Sequence, residues 1–217
     1  MKIHRFDHSN SLLNTFTAEI RDSKIQKDSM RFRRNIERIG EVLAYELSKT
    51  LDYGPNTVET PLGSKKMSLI KDDLVLCSIL RAGLPLHQGL LSYFDRAENA
   101  FISAFRHHPN NEDDFEVVVK YFAAPSLDGK TLILTDPMLA TGKTLENVLN
   151  VLRGHGTPAK IHIVSVIGSE AGIDYVQKVF PTETELWIAA VDEELNDRGY
   201  ILPGLGDAGD LAFGVKL

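Results

Sequence analysis

At 217 residues, 43% hydrophobic and 25% charged, the chain has ordinary globular composition and enough length for one domain with a substantial core. A net charge of −6 and a pI near 5.6 argue against nucleic acid, which needs a basic face, but leave room for a small phosphorylated ligand held by a few local cations and backbone donors. The single cysteine, Cys77, rules out an internal disulfide. No apolar run approaches the roughly 18–20 residues of a membrane span, and Met1–Asn10 lacks a signal-peptide core, so no membrane partner and a reducing cytoplasm are expected.

Ser11–Asp22 and Asp28–Asp52 are predicted as helices, the second with one apolar stripe through Phe32, Ile36, Ile39, Leu43 and Leu47. Gly54-Pro55-Asn56 stops it, and Thr57–Leu62 reads as a short strand before a turn at Gly63-Ser64. Leu74–Leu80 is an apolar run of strand length in which Cys77 is a buried core residue, and Pro85 suits the first turn of a helix reaching Phe94. Ala100–Phe105 and Val117–Phe122 read as strands. The polar, acidic stretch from His107 to Glu116 between them reads as a flap. His107 and His108 have no further Cys or His at ligand spacing, so they are assigned to that flap and not to a metal.

Thr131–Thr135 is predicted as strand, Thr144–Arg153 as helix, Ile161–Ile167 as strand, Gly172–Val179 as helix and Leu186–Val191 as strand. Alternating units of this kind imply an α/β fold with a mostly parallel central sheet flanked by helices on both faces. Ligands of such sheets sit beyond the carboxyl ends of the strands, here the loops at 80–84, 136–144 and from Asp192 onward. The last stretch carries Gly199, Gly204, Gly206, Gly209 and Gly214 with little periodicity, as if the backbone were shaped around something.

The strongest local signal is the strand Leu132–Thr135 running into Asp136-Pro137-Met138-Leu139-Ala140-Thr141-Gly142-Lys143-Thr144. Backbone N–H groups at a helix start, with two threonine hydroxyls and a glycine that admits close approach, make an anion site. Asp136 at the strand end suits sugar hydroxyls, so acid plus cradle suits a ribose 5-phosphate. Gly142-Lys143-Thr144 imitates the end of a Walker A loop, but the required earlier glycine is replaced by Pro137.

This loop resembles the PRPP (5-phosphoribosyl-1-pyrophosphate) loop of the uracil phosphoribosyltransferase family, with Lys143-Thr144 where the family pattern has Gly-Ser. Leu80-Arg81-Ala82-Gly83 resembles that family's pyrophosphate loop, with Arg81 as a forked cation for phosphate oxygens. Related loops carry a non-proline cis peptide, expected here near Arg81-Ala82. Arg106 is similar to a second arginine the family uses on PRPP. The family's Tyr and Lys on the strand before the PRPP loop are not matched by Lys120-Tyr121-Phe122-Ala123-Ala124, so flap details differ.

Asn196–Asp210 resembles the uracil-binding stretch almost residue for residue. Backbone groups of Ile201, Gly206 and Ala208 can match the acceptor–donor–acceptor edge of uracil. Cytosine would leave two buried groups unpaired, each at roughly 1–3 kcal/mol. Asp207 would stand near the base N1 and the ribose, either aiding N1 deprotonation or orienting PRPP.

The resemblance implies a type I phosphoribosyltransferase fold in one domain, with N-terminal helices over about 11–52, a core over about 70–191, a β-hairpin flap and a base-binding hood over about 192–217. It implies UMP formation from uracil and PRPP with release of pyrophosphate, with Arg81 and Asp207 as catalytic residues. It also implies Mg²⁺ held mainly through PRPP, a homodimer or higher homo-oligomer, and in some members activation by GTP. Two alternatives stay open: a PRPP-dependent transferase for another base, and a non-catalytic nucleotide-sensing regulator on the same fold.

Overall fold

The computed structural model describes residues 1–107 and 116–216, without the side chains of 104–107 and 116–120. The chain opens with β1 (Lys2–Arg5), α1 (Leu12–Arg21) and α2 (Ser29–Ser48). Ser11 caps α1 in a reciprocal capping box with Asn14, and the Asp28 carboxylate accepts from Met30 N and Arg31 N to start α2. Every residue of the predicted α2 stripe is at most 1% exposed. The helix stops at Ser48, short of the predicted Asp52.

Residues 53–70 correct the sequence reading. Instead of one short strand, they form a long antiparallel hairpin of β2 (Tyr53–Thr60) and β3 (Gly63–Ile70) that joins no other strand among the described residues. Gly54-Pro55-Asn56, read as a helix stop, lies within β2. Both strands are largely exposed, so neither shows the one-sided alternation that betrays a half-buried strand.

Then come β4 (Leu74–Leu80), α3 (Gly83–Leu91), β5 (Glu98–His107), β6 (Glu116–Ala123), β7 (Thr131–Thr135) and β8 (Met138–Leu139). They are followed by α4 (Lys143–Leu152), β9 (Lys160–Ser169), α5 (Glu170–Val179), β10 (Glu185–Asp192), β11 (Glu194–Leu195), β12 (Ile201–Leu202) and α6 (Ala208–Phe213). The main sheet runs β1-β10-β9-β7-β4-β5-β6, with β8 added on β9. Its pairings are parallel except β5 with β6, which face each other out to His107 and Glu116 at the base of the predicted flap. The rest of that flap, His108 included, lies outside the described residues.

Residues of α1, α2, α3 and α6 pack with one face of the sheet, and those of α4 and α5 with the other. From β4 the chain steps to β5 on one side; from β7 it steps to β9 and β10 on the other. Strand order therefore reverses between β4 and β7, and a crevice at their carboxyl ends is where such sheets receive ligands. Cys77, in the middle of β4, is fully buried, and burial pushes its thiol up to about 12, so it is an inert core residue.

On β9, His162 is 2% exposed, and its Nδ1 accepts from Trp187 Nε1 at 3.2 Å while Nε2 is buried without a partner among the described residues. Burial is the largest influence and lowers its pKa to about 4, against an opposing pull from Glu185. Because the folded pKa lies below the unfolded value, the neutral ring contributes stability that is fully present above about pH 6.5 and is lost as pH falls towards 4. The loss amounts to about 3 kcal/mol. Thermal melts across that window should show a steeper decline for the native chain than for His162→Gln; equal slopes would contradict this.

Candidate active site

The two loops flanking the crevice are built differently. After β4, a cis peptide joins Leu80 to Arg81, one residue before the expected position. Ala82 then precedes α3 at its N-cap position, and the Arg81 side chain, 38% exposed, turns to the C-terminal helix. Its Nη2 donates to Asp210 Oδ1 at 3.1 Å and to the Gly214 carbonyl at 3.0 Å.

After β7, the loop is strapped onto β9. Asp136 N donates to Val164 O, and the Pro137 carbonyl accepts from Val166 N and Ile167 N at 3.2 and 3.0 Å. Met138 and Leu139 pair with Ile167 and Gly168 as β8. Ser169 Oγ donates to the Ala140 carbonyl at 2.7 Å and accepts from Gly172 N at 2.9 Å. Sequence reasoning missed Ser169 and Gly172, because they belong to a separate strand–helix unit with no motif of its own.

Gly142 adopts a left-handed conformation (φ 77°) and starts α4 with no side chain capping the helix. The first-turn N–H groups of such a helix have no intrahelical carbonyl to bind. Thr141 Oγ1 accepts from Lys143 N at 3.4 Å. A recess here is lined by Asp136, Met138, Leu139, Ala140, Thr141, Gly142, Thr144 and Leu145. Of the predicted loop residues, Pro137 and Lys143 do not line it: Pro137 is buried and serves the strap, and the Lys143 side chain is exposed. Asp136 Oδ1 accepts from Met138 N at 3.2 Å, a loop-holding role beyond the predicted one.

The C-terminal segment is more structured than its glycine content suggested. β11 and β12 pair through Leu195 and Ile201, and the Asn196 side chain closes the turn by accepting from Arg198 N and Tyr200 N. Arg21 on α1 makes a two-pronged ion pair with Asp192 at 2.8 and 2.9 Å and donates to the Gly204 carbonyl at 3.0 Å. Gln26 Nε2 donates to Leu205 O at 3.2 Å. The N-terminal helices thus hold the hood from behind.

Asp207 caps α6, its Oδ1 accepting from Asp210 N at 3.0 Å, and Lys216 Nζ stands 3.8 Å from its other oxygen. Ile201 and Ala208 are buried, Gly206 is exposed with φ 92°, and Asp207 is half-buried. Ala140, Ile201, Leu205 and Ala208 belong to one apolar cluster. The predicted anion loop and base segment therefore both contribute to the apolar cluster on one face of the sheet, and Arg81 bridges from the β4 loop to the second of them. Arg106 lies on β5 opposite Val117, but its side chain is outside what is described. Among the described residues, no three His, Cys, Asp or Glu side chains gather as a metal cage. No helix among them is long and apolar enough to cross a membrane.

A family model described as uracil phosphoribosyltransferase matches residues 8–215. A uracil phosphoribosyltransferase from Porphyromonas gingivalis is 49% identical over 217 residues, covering all of both chains. One from Pyrococcus furiosus is 39% identical over 98% of this chain and 90% of its own length. The solved structure of the AQ2163 protein from Aquifex aeolicus superposes with a TM-score of 0.87 at 32% identity, covering 99% of each chain.

Proposed function

As the chain belongs to the uracil phosphoribosyltransferase family, we propose that it joins uracil to PRPP at the crevice between β4 and β7, releasing pyrophosphate and forming UMP for pyrimidine salvage. The observation that carries this assignment of the site is the reach of Arg81 from the end of β4 to Asp210 and Gly214, beside the loop that follows the neighbouring strand β7.

In this reading the uncapped start of α4, with Thr141 and Thr144, receives the 5-phosphate through backbone and hydroxyl donors. Asp136 accepts from ribose hydroxyls, and Arg81 and Arg106 hold pyrophosphate oxygens. The buried backbone at Ile201 and Ala208, with Gly206, matches uracil O2, N3–H and O4. Asp207 stands where N1 and the ribose meet. Displacement at C1′ needs no covalent nucleophile: N1 attacks one face while pyrophosphate leaves from the other. Positioning and charge neutralisation lower the barrier of an oxocarbenium-like transition state.

The donor set fits Mg²⁺ carried mainly by PRPP oxygens: Asp136 lines the recess after β7, where its carboxylate would add one protein oxygen to those of the substrate. When bound, the ion neutralises the leaving pyrophosphate. Uracil incubated with PRPP should yield UMP with Mg²⁺ and little with EDTA; absence of UMP under both conditions would reject the proposal. The same assay with and without GTP tests the effector role that the resemblance implies.

We extend the proposal to a cytoplasmic homo-oligomer. The β2–β3 hairpin leaves Tyr53, Leu62, Met67, Leu69 and Ile70 exposed, Leu62 entirely. A two-stranded hairpin is marginal alone, and a second copy of the chain would bury these side chains. The lone buried thiol suits a reducing compartment.

A further inference from the structure

We infer that Asp210 is a positioning residue that couples the two substrate sites through Arg81. The inference rests on the proposed function and assigns a role to a residue outside the predicted site set.

Helix α6 has six residues, too few to persist without tertiary support. Support comes from three sides. Asp207 caps its start by accepting from Asp210 N at 3.0 Å. Arg33 of α2 donates to the Ala212 carbonyl at 2.5 Å. From the crevice, Arg81 Nη2 donates to Asp210 Oδ1 and to the Gly214 carbonyl at 3.1 and 3.0 Å.

Asp210 therefore occupies a junction. Its side chain holds the arginine assigned to pyrophosphate, and its backbone N–H holds the Asp207 carboxylate at the base side. A guanidinium has five donors, and these contacts use one nitrogen, leaving donors for phosphate oxygens. Among the described residues Arg81 Nε is buried without a partner, so the resting guanidinium is incompletely satisfied there and has reason to settle further when an anion arrives.

Pyrophosphate that fixes Arg81 also fixes Asp210, and with it the first turn of α6 that carries Asp207 and Ala208. Uracil then meets an ordered pocket and binds more tightly. By linkage, uracil strengthens pyrophosphate binding by the same factor. The Arg81–Asp210 pair is 38% and 30% exposed on its two sides, where ion pairs contribute little to stability. Its loss should therefore appear in coupling and not in folding.

The test is calorimetric titration of uracil into the full chain, with and without saturating inorganic pyrophosphate and Mg²⁺. Pyrophosphate should lower the Kd for uracil at least about fivefold in the native protein. In Asp210→Asn that ratio should fall to within about twofold of unity, with Tm and the Kd for uracil alone little changed, and Asp210→Glu should recover part of it. A native-like ratio in Asp210→Asn, or no ratio in the native protein, would overturn the inference.

Hydrogen exchange of amides 207–214 in the native protein is independent of any variant. Pyrophosphate should slow it, and unchanged exchange counts against the coupling. UMP formation by the native protein is measured alongside. Its absence defeats the proposed function, whereas UMP formation with coupling intact in Asp210→Asn defeats this inference alone.

Discussion

Gly142→Ala is expected to lower kcat/KM for PRPP about a hundredfold. Gly142 sits at φ 77°, where a side chain costs about 1–2 kcal/mol. An added Cβ would also stand 2.9 Å from Tyr175 Cδ1 and 3.0 Å from Val176 Cγ1. Val176 is fully buried and the Tyr175 hydroxyl donates to Glu146 Oε2 at 2.6 Å, so neither neighbour yields freely. The start of α4 must move instead, and it carries the N–H groups proposed to hold the 5-phosphate. A displacement near 1 Å at such a site costs about 10²-fold. Steady-state kinetics check this, and an unchanged KM for PRPP with unchanged kcat would show that the 5-phosphate does not rest there.

Gly172→Ala is expected to lower Tm by about 4–10 °C and to raise KM for PRPP about tenfold. Its added Cβ would lie 2.2 Å from the Ala140 carbonyl oxygen and 2.8 Å from that of Leu139. Both acceptors are backbone, so α5 and the loop must separate. Separation also breaks the Ser169 bridge, leaving the buried Ala140 carbonyl short of a partner. Ser169→Ala isolates that second effect: it adds no bulk, removes only the hydroxyl, and should cost about 1–3 kcal/mol with a smaller rise in KM. Differential scanning calorimetry and PRPP titrations on the two variants separate crowding from the lost hydrogen bond. Equal effects would contradict the strap.

Legibility in the sequence followed burial. β4 and β7 have the predicted limits because both are buried on both faces and bounded by turns. The start of α2 was readable from Asp28, whose carboxylate caps it, and the phosphate loop from an acid and a Thr-Gly step after an apolar strand. The segments that escaped had no period to read. β1 is four residues at the edge of the sheet; β8, β11 and β12 are two-residue pairings specified by their partners.

The hairpin at 53–70 is exposed along almost its whole length, so no buried face imprints an alternation on it. Within the site, the residues that touch ligand in the proposal were recognisable by chemical type and place. Those that hold them (Arg21, Gln26, Ser169, Asp210) act through pairings 29 to 183 residues apart that only the fold brings together. Asp210 illustrates the limit: in sequence it is one acid in a glycine-rich tail, and in the structure it joins two loops.

In the proposed function the turn after β7 and the tail from Tyr200 to Asp210 grip opposite ends of one nucleotide. A crystal structure of the protein with UMP tests it most directly. The 5′-phosphate is expected at the N-terminus of α4, over Gly142 and Thr144, with the uracil edge against the backbone of Ile201 and Ala208. A nucleotide whose phosphate or base binds away from these segments would contradict it.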